Sequence, residues 1–143
     1  MTRKRFIGEA AGFIMLAVKL NEKARRNGIP SLENELEDLD DEDFKRALRR
    51  AVDGVPPAPV GEILSNRIAF EKDKYARRYK TILKRAALGI QEGLNSHTLF
   101  HILLSYAGLT PGEEKEIERG FPARDFVYEH EEQNRPLRRN KGE

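Results

Sequence analysis

The sequence contains no cysteine and no tryptophan. Without cysteine, the chain can form no disulfide, no thiolate nucleophile and no cysteine-ligated zinc or iron–sulfur site. It also lacks a strong charge bias, because 26 Lys and Arg residues face 24 Asp and Glu residues and the formal net charge is +2. Net charge therefore argues neither for nor against a nucleic-acid partner.

A long apolar run is missing as well. The most apolar stretch, residues 10–18 (AAGFIMLAV), is about half as long as a membrane-spanning helix must be. It follows Arg3, Lys4 and Arg5 and so imitates a signal peptide, but no small-residue cleavage site comes after it. We therefore expect a soluble protein without a membrane span.

The composition favours one core of amphipathic helices. Hydrophobic residues make up 38% of the 143 residues and charged residues 35%, which is too few apolar residues for a large two-layer α/β enzyme. Between Phe6 and Arg26, apolar residues recur at three- and four-residue spacing, which predicts a first helix. Its apolar surface is wide, so the helix is either buried on several sides or pairs with a second copy of the chain through residues Phe6–Leu20.

Capping and turn signals divide the rest of the chain. The predicted helix caps are, in order, Ser31; Asp40 or Asp41; Ser96; and Thr110, which forms a capping box with Glu113. Prolines 56, 57 and 59 form a corner, and the long helical stretch from Val60 to Gly93 is one helix or is broken near Lys72–Tyr75.

We expect one compact all-α domain of five to six helices over residues 1–120, with Tyr106 in its core, and a charged, mobile tail over residues 121–143.

An acidic run follows the first helix. From Glu33 to Asp43 there are eight acidic residues and no basic one. One interpretation is a solvated face combined with helix-start charges, which the helix dipole favours. The other is a surface for a basic partner, or for the basic end of the first helix, where Lys23, Arg25 and Arg26 lie.

No catalytic pattern is present in the sequence. It has no glycine-rich phosphate loop, no nucleophile elbow and no Ser/His/Asp order, so we expect no enzyme and no cofactor. His97 and His101 have the four-residue spacing that can place two imidazoles on one metal. A third ligand at helical spacing is missing, so we expect no metal site.

A basic helix offers an alternative function. Eight Lys and Arg residues lie between Arg67 and Arg85, with Tyr75 and Tyr79 among them, and such a face can contact phosphates and stack on bases. Acidic residues dilute this charge and no known nucleic-acid-binding motif is present, so the sequence argues against nucleic acid. Nucleic-acid binding through Arg67–Arg85 and a self-associating scaffold remain the alternative hypotheses.

Several short motifs resemble the cytoplasmic region of the flagellar stator family MotA. They are ARRNGIPSLENELEDL at residues 24–39, RRAVDG at 49–54, the proline-rich corner, and GEILSNRI at 61–68. The resemblance covers about residues 16–71. In that family this loop carries an arginine and, eight residues later, a glutamate that engage the rotor. The resemblance places these roles on Arg25 and Glu33, and we expect Arg26 and Glu37 to complete a partner-binding set.

The sequence also departs from that family. MotA spans the membrane four times, whereas this chain continues as the charged stretch YARRYKTILKRAALGIQEGL (residues 75–94) where the family enters its third span. What the resemblance implies is therefore a soluble, non-enzymatic adaptor or regulator rather than an ion-conducting stator. Its expected partner is a flagellar rotor or stator component, and its expected location is cytoplasmic or peripheral at the inner-membrane motor.

Overall fold

The fold is taken from a computed structural model, which describes residues 1–121. Over this range the chain forms six α-helices and one 3-10 helix, without a β-strand. In chain order they are α1 (Arg3–Asn27), the 3-10 helix (Ile29–Asp38), α2 (Glu42–Val52), α3 (Pro57–Ala69), α4 (Lys74–Glu92), α5 (Ser96–Ser105) and α6 (Pro111–Gly120). The predicted all-α fold class is confirmed.

Helix α1 is the centre of the fold. Its 25 residues pack against α4, the 3-10 helix and α5, so it is buried on several sides. Phe6, Ile14 and Val18 have no exposed surface, and Phe13 is 6% exposed. Phe13 therefore belongs to the core of this chain, whereas Leu16 is 38% exposed.

The remaining helices complete one core around α1. Helix α3 packs on α4, and α2 lies against the 3-10 helix, α3 and α4. At the start of α1, the Arg3 guanidinium donates to both carboxylate oxygens of Glu113 on α6, at 2.8 and 2.7 Å. These bonds, with the Thr110 N–H bond of the capping box, lower the pKa of Glu113 to about 2. The predicted capping box is confirmed.

The stretch from Val60 to Gly93 is two helices, not one. Helix α3 ends at Ala69, and α4 begins at Lys74 after Asp73, whose side chain accepts the Ala76 N–H at 2.8 Å. The break falls beside the predicted position. It leaves Phe70 at the corner with 86% of its surface exposed.

Two of the predicted helix caps are wrong. The Ser31 hydroxyl donates to the Gly28 carbonyl at 2.6 Å, and the helix there is a 3-10 helix that begins earlier, at Ile29. At the start of α5, Asn95 caps in place of Ser96, accepting the N–H groups of residues 97 and 98. A third expectation fails at the other end of α5, because Tyr106 is 41% exposed rather than part of the core.

The far end of the described chain packs on α5. Phe121 is 7% exposed, and its ring stacks on that of Phe100 with the centroids 3.8 Å apart. The rest of the expected tail, residues 122–143, lies outside the described residues. Within residues 1–121, no helix combines the length and the apolar character that crossing a bilayer requires.

Candidate functional site

A glycine turn ends α1 and positions the predicted contact residues. Gly28 has φ +88° and ψ 155°, a conformation that side chains strongly disfavour, and its N–H donates to the Ala24 carbonyl at 2.7 Å. Arg25 and Arg26 occupy the last turn of α1, where cations face the carbonyl end of the helix dipole. The 3-10 helix begins directly after this turn and packs against α1.

The two arginines differ in exposure. The Arg25 guanidinium donates to the Gly93 carbonyl at 2.6 Å, which ties the end of α1 to the turn between α4 and α5, and this side chain is half-buried. Arg26 is exposed. Arg25 therefore has a structural contact in addition to any contact with a partner.

The predicted acidic residues of the 3-10 helix are both exposed. Glu33 pairs with Arg49 on α2, and both side chains keep about half of their surface in solvent. Glu37 is exposed and makes no ion pair within residues 1–121. Arg25 and Glu33 do not pair with each other, because Arg25 bonds to the α4–α5 turn and Glu33 pairs with Arg49 of α2.

The structure sorts the acidic run into two groups. Five of its residues have partners: Glu33 pairs with Arg49, Glu35 with Lys23, Glu42 with Arg46 and Asp43 with Arg67, and Asp41 caps α2. The other three, Glu37, Asp38 and Asp40, are exposed and make no hydrogen bond or ion pair in the described part of the chain. Glu35 thus meets the basic end of α1, three carboxylates stay open to solvent, and binding of a basic partner stays a prediction.

A buried polar cluster, which the sequence pattern did not reveal, holds the end of α1 in place. Asn21 is fully buried and donates to the Leu94 carbonyl at 2.7 Å and to the Ser96 hydroxyl at 3.2 Å. The Ser96 hydroxyl donates in turn to Glu22, at 2.5 Å. The sequence feature that could have indicated this cluster is the polar pair Asn21 and Glu22, which lies within the apolar stripe of α1.

The basic helix that suggested nucleic acid is largely engaged within the chain. Arg67 pairs with Asp43 at 3.0 Å, and Lys80 pairs with Glu71 at 3.1 Å. Other cations of this stretch also have internal contacts, with Arg85 on Glu92 and Arg78 over the rings of Phe6 and Tyr75. The two tyrosines pack on core aromatics, Tyr75 on Phe6 and Tyr79 on Phe13, so they offer no stacking platform for bases.

The histidine pair lies beside aromatic rings. His97 packs edge-on against Phe121 with the centroids 5.6 Å apart, and its buried Nε2 has no hydrogen-bond partner among the described residues. His101 is exposed beside Phe100. Within residues 1–121, no three His, Asp or Glu side chains come together as metal ligands.

Comparison with known proteins gives one recurring name. No protein-family model matches the chain. Motility protein A of Borreliella burgdorferi is 39% identical over 67 residues, which are 47% of this chain and 24% of that protein. Motility protein A of Treponema phagedenis is 34% identical over 58 residues, 41% of this chain and 22% of that protein. Motility protein A of Treponema pallidum is 28% identical over 93 residues, 65% of this chain and 28% of that protein.

The chain thus matches only about a quarter of the length of these relatives. The motif resemblance and the sequence identities agree on the same name. Together they support a relation between this chain and part of motility protein A.

Proposed function

We propose that this chain is a non-enzymatic protein-interaction domain of the flagellar motor. It acts as an adaptor or regulator that contacts a rotor or stator protein through charged helix ends. The contact set is Arg25, Arg26, Glu33 and Glu37. The domain covers residues 1–120, and it works in the cytoplasm or at the periphery of the inner-membrane motor.

The observation that carries this proposal is the similarity to motility protein A, which reaches 39% identity over 67 residues. The position of the charged residues supports it. Arg26, Glu33 and Glu37 are exposed on the last turn of α1 and on the 3-10 helix that follows it, where a partner can reach them without displacing core side chains. Charges of both signs on these two consecutive segments favour a partner whose surface carries charges of both signs in a complementary arrangement.

The test is a pull-down of rotor and stator proteins from a lysate of the native cells. The bait is the full chain as wild type, Arg25→Glu or Glu33→Lys. We expect wild type to recover a motor protein and both variants to lose it, because each reversal sets like charges against each other.

A matched control separates binding from folding. Glu62 on α3 is exposed and has no ion pair within the described residues, so Glu62→Lys reverses a charge outside the contact set. This variant should recover the motor protein as wild type does. Recovery by both Arg25→Glu and Glu33→Lys, with melting temperatures unchanged, would contradict the proposed contact set.

A further inference from the structure

A groove of about 430 Å³ lies between the first half of α1 and the segment that joins the 3-10 helix to α2. The rings of Phe13 and Phe44 form its base and meet edge to face, with the centroids 4.8 Å apart. Tyr79 of α4 closes one side, and the centroid of its ring is 5.8 Å from the centroid of the Phe13 ring. Three helices thus contribute one aromatic side chain each to a concave apolar surface.

On the α1 side of this groove, two glycines leave free space because they have no side chain. A Cβ atom added to Gly8 or Gly12, one turn apart, would meet no heavy atom within 4 Å. Leu16, one further turn along, also lines the groove and is the most exposed large apolar residue of α1, at 38%. A single exposed leucine is ordinary, but this one continues an aromatic groove that another segment can enter.

The rim of the groove is acidic. Glu9, Asp38, Asp40 and Asp41 line it. Glu9 pairs with Arg5 at 2.7 Å, and Asp41 is used as the cap of α2. Asp38 and Asp40 are exposed and have no ion-pair or hydrogen-bond partner among residues 1–121, so their charge remains available to a cation.

The ionisation of Tyr79 reflects this environment. Burial raises the pKa of Tyr79 to about 12, and the negative charges of Asp41, Glu9 and Asp40 add to the effect. Because the phenol stays neutral, its hydroxyl can donate a hydrogen bond but cannot supply a further negative charge at physiological pH. The groove therefore combines an apolar base with net negative charge at its edge.

We propose that this groove binds a basic amphipathic segment of a partner protein. A large apolar side chain of that segment lies over Gly8 and Gly12 beside Leu16, and its Lys or Arg side chains pair with Asp38 and Asp40. This is the helix-in-groove mode, in which apolar anchors supply affinity and charges select the partner. An acidic segment is rejected because carboxylates would face carboxylates. The inference depends on the groove alone and does not require the motor role.

The first test fills the groove without touching the core. The probe is a synthetic amphipathic peptide of Leu and Lys in helical repeat, titrated calorimetrically into the full-length chain. Gly12→Leu places a side chain in open space on α1, and Gly112→Leu does the same on α6, away from the groove. We expect the control to bind as wild type does and Gly12→Leu to bind about tenfold more weakly or worse, a loss of about 1.4 kcal/mol.

The second test addresses the rim. Asp38→Asn combined with Asp40→Asn should weaken binding and flatten its dependence on salt, because fewer charges are then screened. The same peptide with Glu in place of Lys should not bind. Equal affinity of wild type and Gly12→Leu, or of the Lys and Glu peptides, would overturn the proposal.

Two other occupants of the groove, a second copy of the chain or the chain's own basic residues, would give different results in these experiments. Sedimentation of the wild type as a dimer that Gly12→Leu converts to a monomer would identify a second copy as the occupant and overturn the proposal. Tighter peptide binding by the Arg138→Glu, Arg139→Glu variant would identify the chain's own basic residues as the occupant, with the same consequence. A monomeric wild type, with peptide affinity unchanged by these arginine substitutions, supports a separate partner.

Discussion

The two ends of the acidic segment at residues 33–38 of the 3-10 helix differ in how their charged side chains are satisfied. At its first end, Glu33 pairs with Arg49, and Glu35 pairs with Lys23 at 2.7 Å. At the other end, Asp38 has no partner in the described part of the chain and borders an aromatic groove. The first end is a charged surface that also holds helices together, whereas the second leaves its charge open.

This difference decides what a substitution at each end can reveal. A reversal at Arg25 or Glu33 removes an internal contact as well as any contact with a partner, so a loss of binding must be compared with a loss of stability. In the groove, Gly12 and Asp38 have no such internal contact, and changes there can alter binding alone. Four measurements sharpen or break the comparison.

The largest effect is expected at the base of the groove. Phe44 is 1% exposed and packs on Phe13, so Phe44→Ala should lower the free energy of unfolding by about 3–5 kcal/mol through lost burial and a cavity. Urea unfolding followed by circular dichroism measures this change. Leu16→Ala, at the exposed wall, should change the same quantity by less than about 1 kcal/mol. Similar losses for the two variants would show that the base is not part of the core.

The next effect concerns the glycine turn between α1 and the 3-10 helix. Gly28→Ala forces a Cβ onto a backbone with φ +88° and ψ 155°, and should destabilise the fold by about 1–3 kcal/mol. Gly12→Ala is the matched control, since Gly12 is helical and has open space around it, and it should stabilise by up to about 1 kcal/mol. Thermal melts of both variants provide the measurement. A neutral Gly28→Ala would mean that the turn relaxes without strain.

A smaller effect is expected from the ion pair at the charged end. A double-mutant cycle of Glu33→Gln and Arg49→Gln should give a coupling of about 0.2–1 kcal/mol, because both side chains are about half exposed and screened by water. Asp38→Asn should leave the free energy of unfolding unchanged, since no partner in the described chain is lost. A destabilising Asp38→Asn would remove the contrast between the two ends.

The last prediction concerns the ionisation of Tyr79, which does not change the free energy of unfolding at neutral pH. Because the pKa of Tyr79 is raised from 10.0 to about 12, its contribution to stability is present below about pH 10 and is lost as the pH rises toward 12. Ultraviolet titration of the four tyrosines against Tyr79→Phe isolates this residue. Asp40→Asn should lower the Tyr79 pKa only slightly, since burial is the larger cause. An ordinary Tyr79 pKa would mean that the groove is more open to water than its geometry indicates.

Helix ends were predictable where the signal is local. The capping box at Thr110 and the cap of α2, predicted at Asp40 or Asp41 and found at Asp41, each depend on residues within a few positions, and both are confirmed. The Ser96 hydroxyl is chemically suited to capping, so the sequence alone predicts it as the cap. It is instead engaged with Glu22, which lies 74 positions away in the sequence, and Asn95 caps in its place.

For the candidate contact residues, too, the sequence predicts local features but not contacts between residues far apart in the chain. The position of Arg25 at a helix end follows from its neighbours and from Gly28. Its bond to the Gly93 carbonyl, 68 positions away, does not. The assignment of Arg25, Arg26, Glu33 and Glu37 to partner binding stays a prediction, because the geometry gives their exposure and not their partner.

The sequence by itself determined the all-α fold class, the positions of most helices and the likeness to motility protein A, because helical periodicity, capping and short motifs are local properties. Only the tertiary structure decided which charges are paired and where an apolar groove remains open. Phe13, Phe44 and Tyr79 meet there from three helices, and Asp38 and Asp40 stay unpaired because no cation of the described chain packs beside them. Such contacts join residues far apart in the chain, and their geometry is set by how the helices pack.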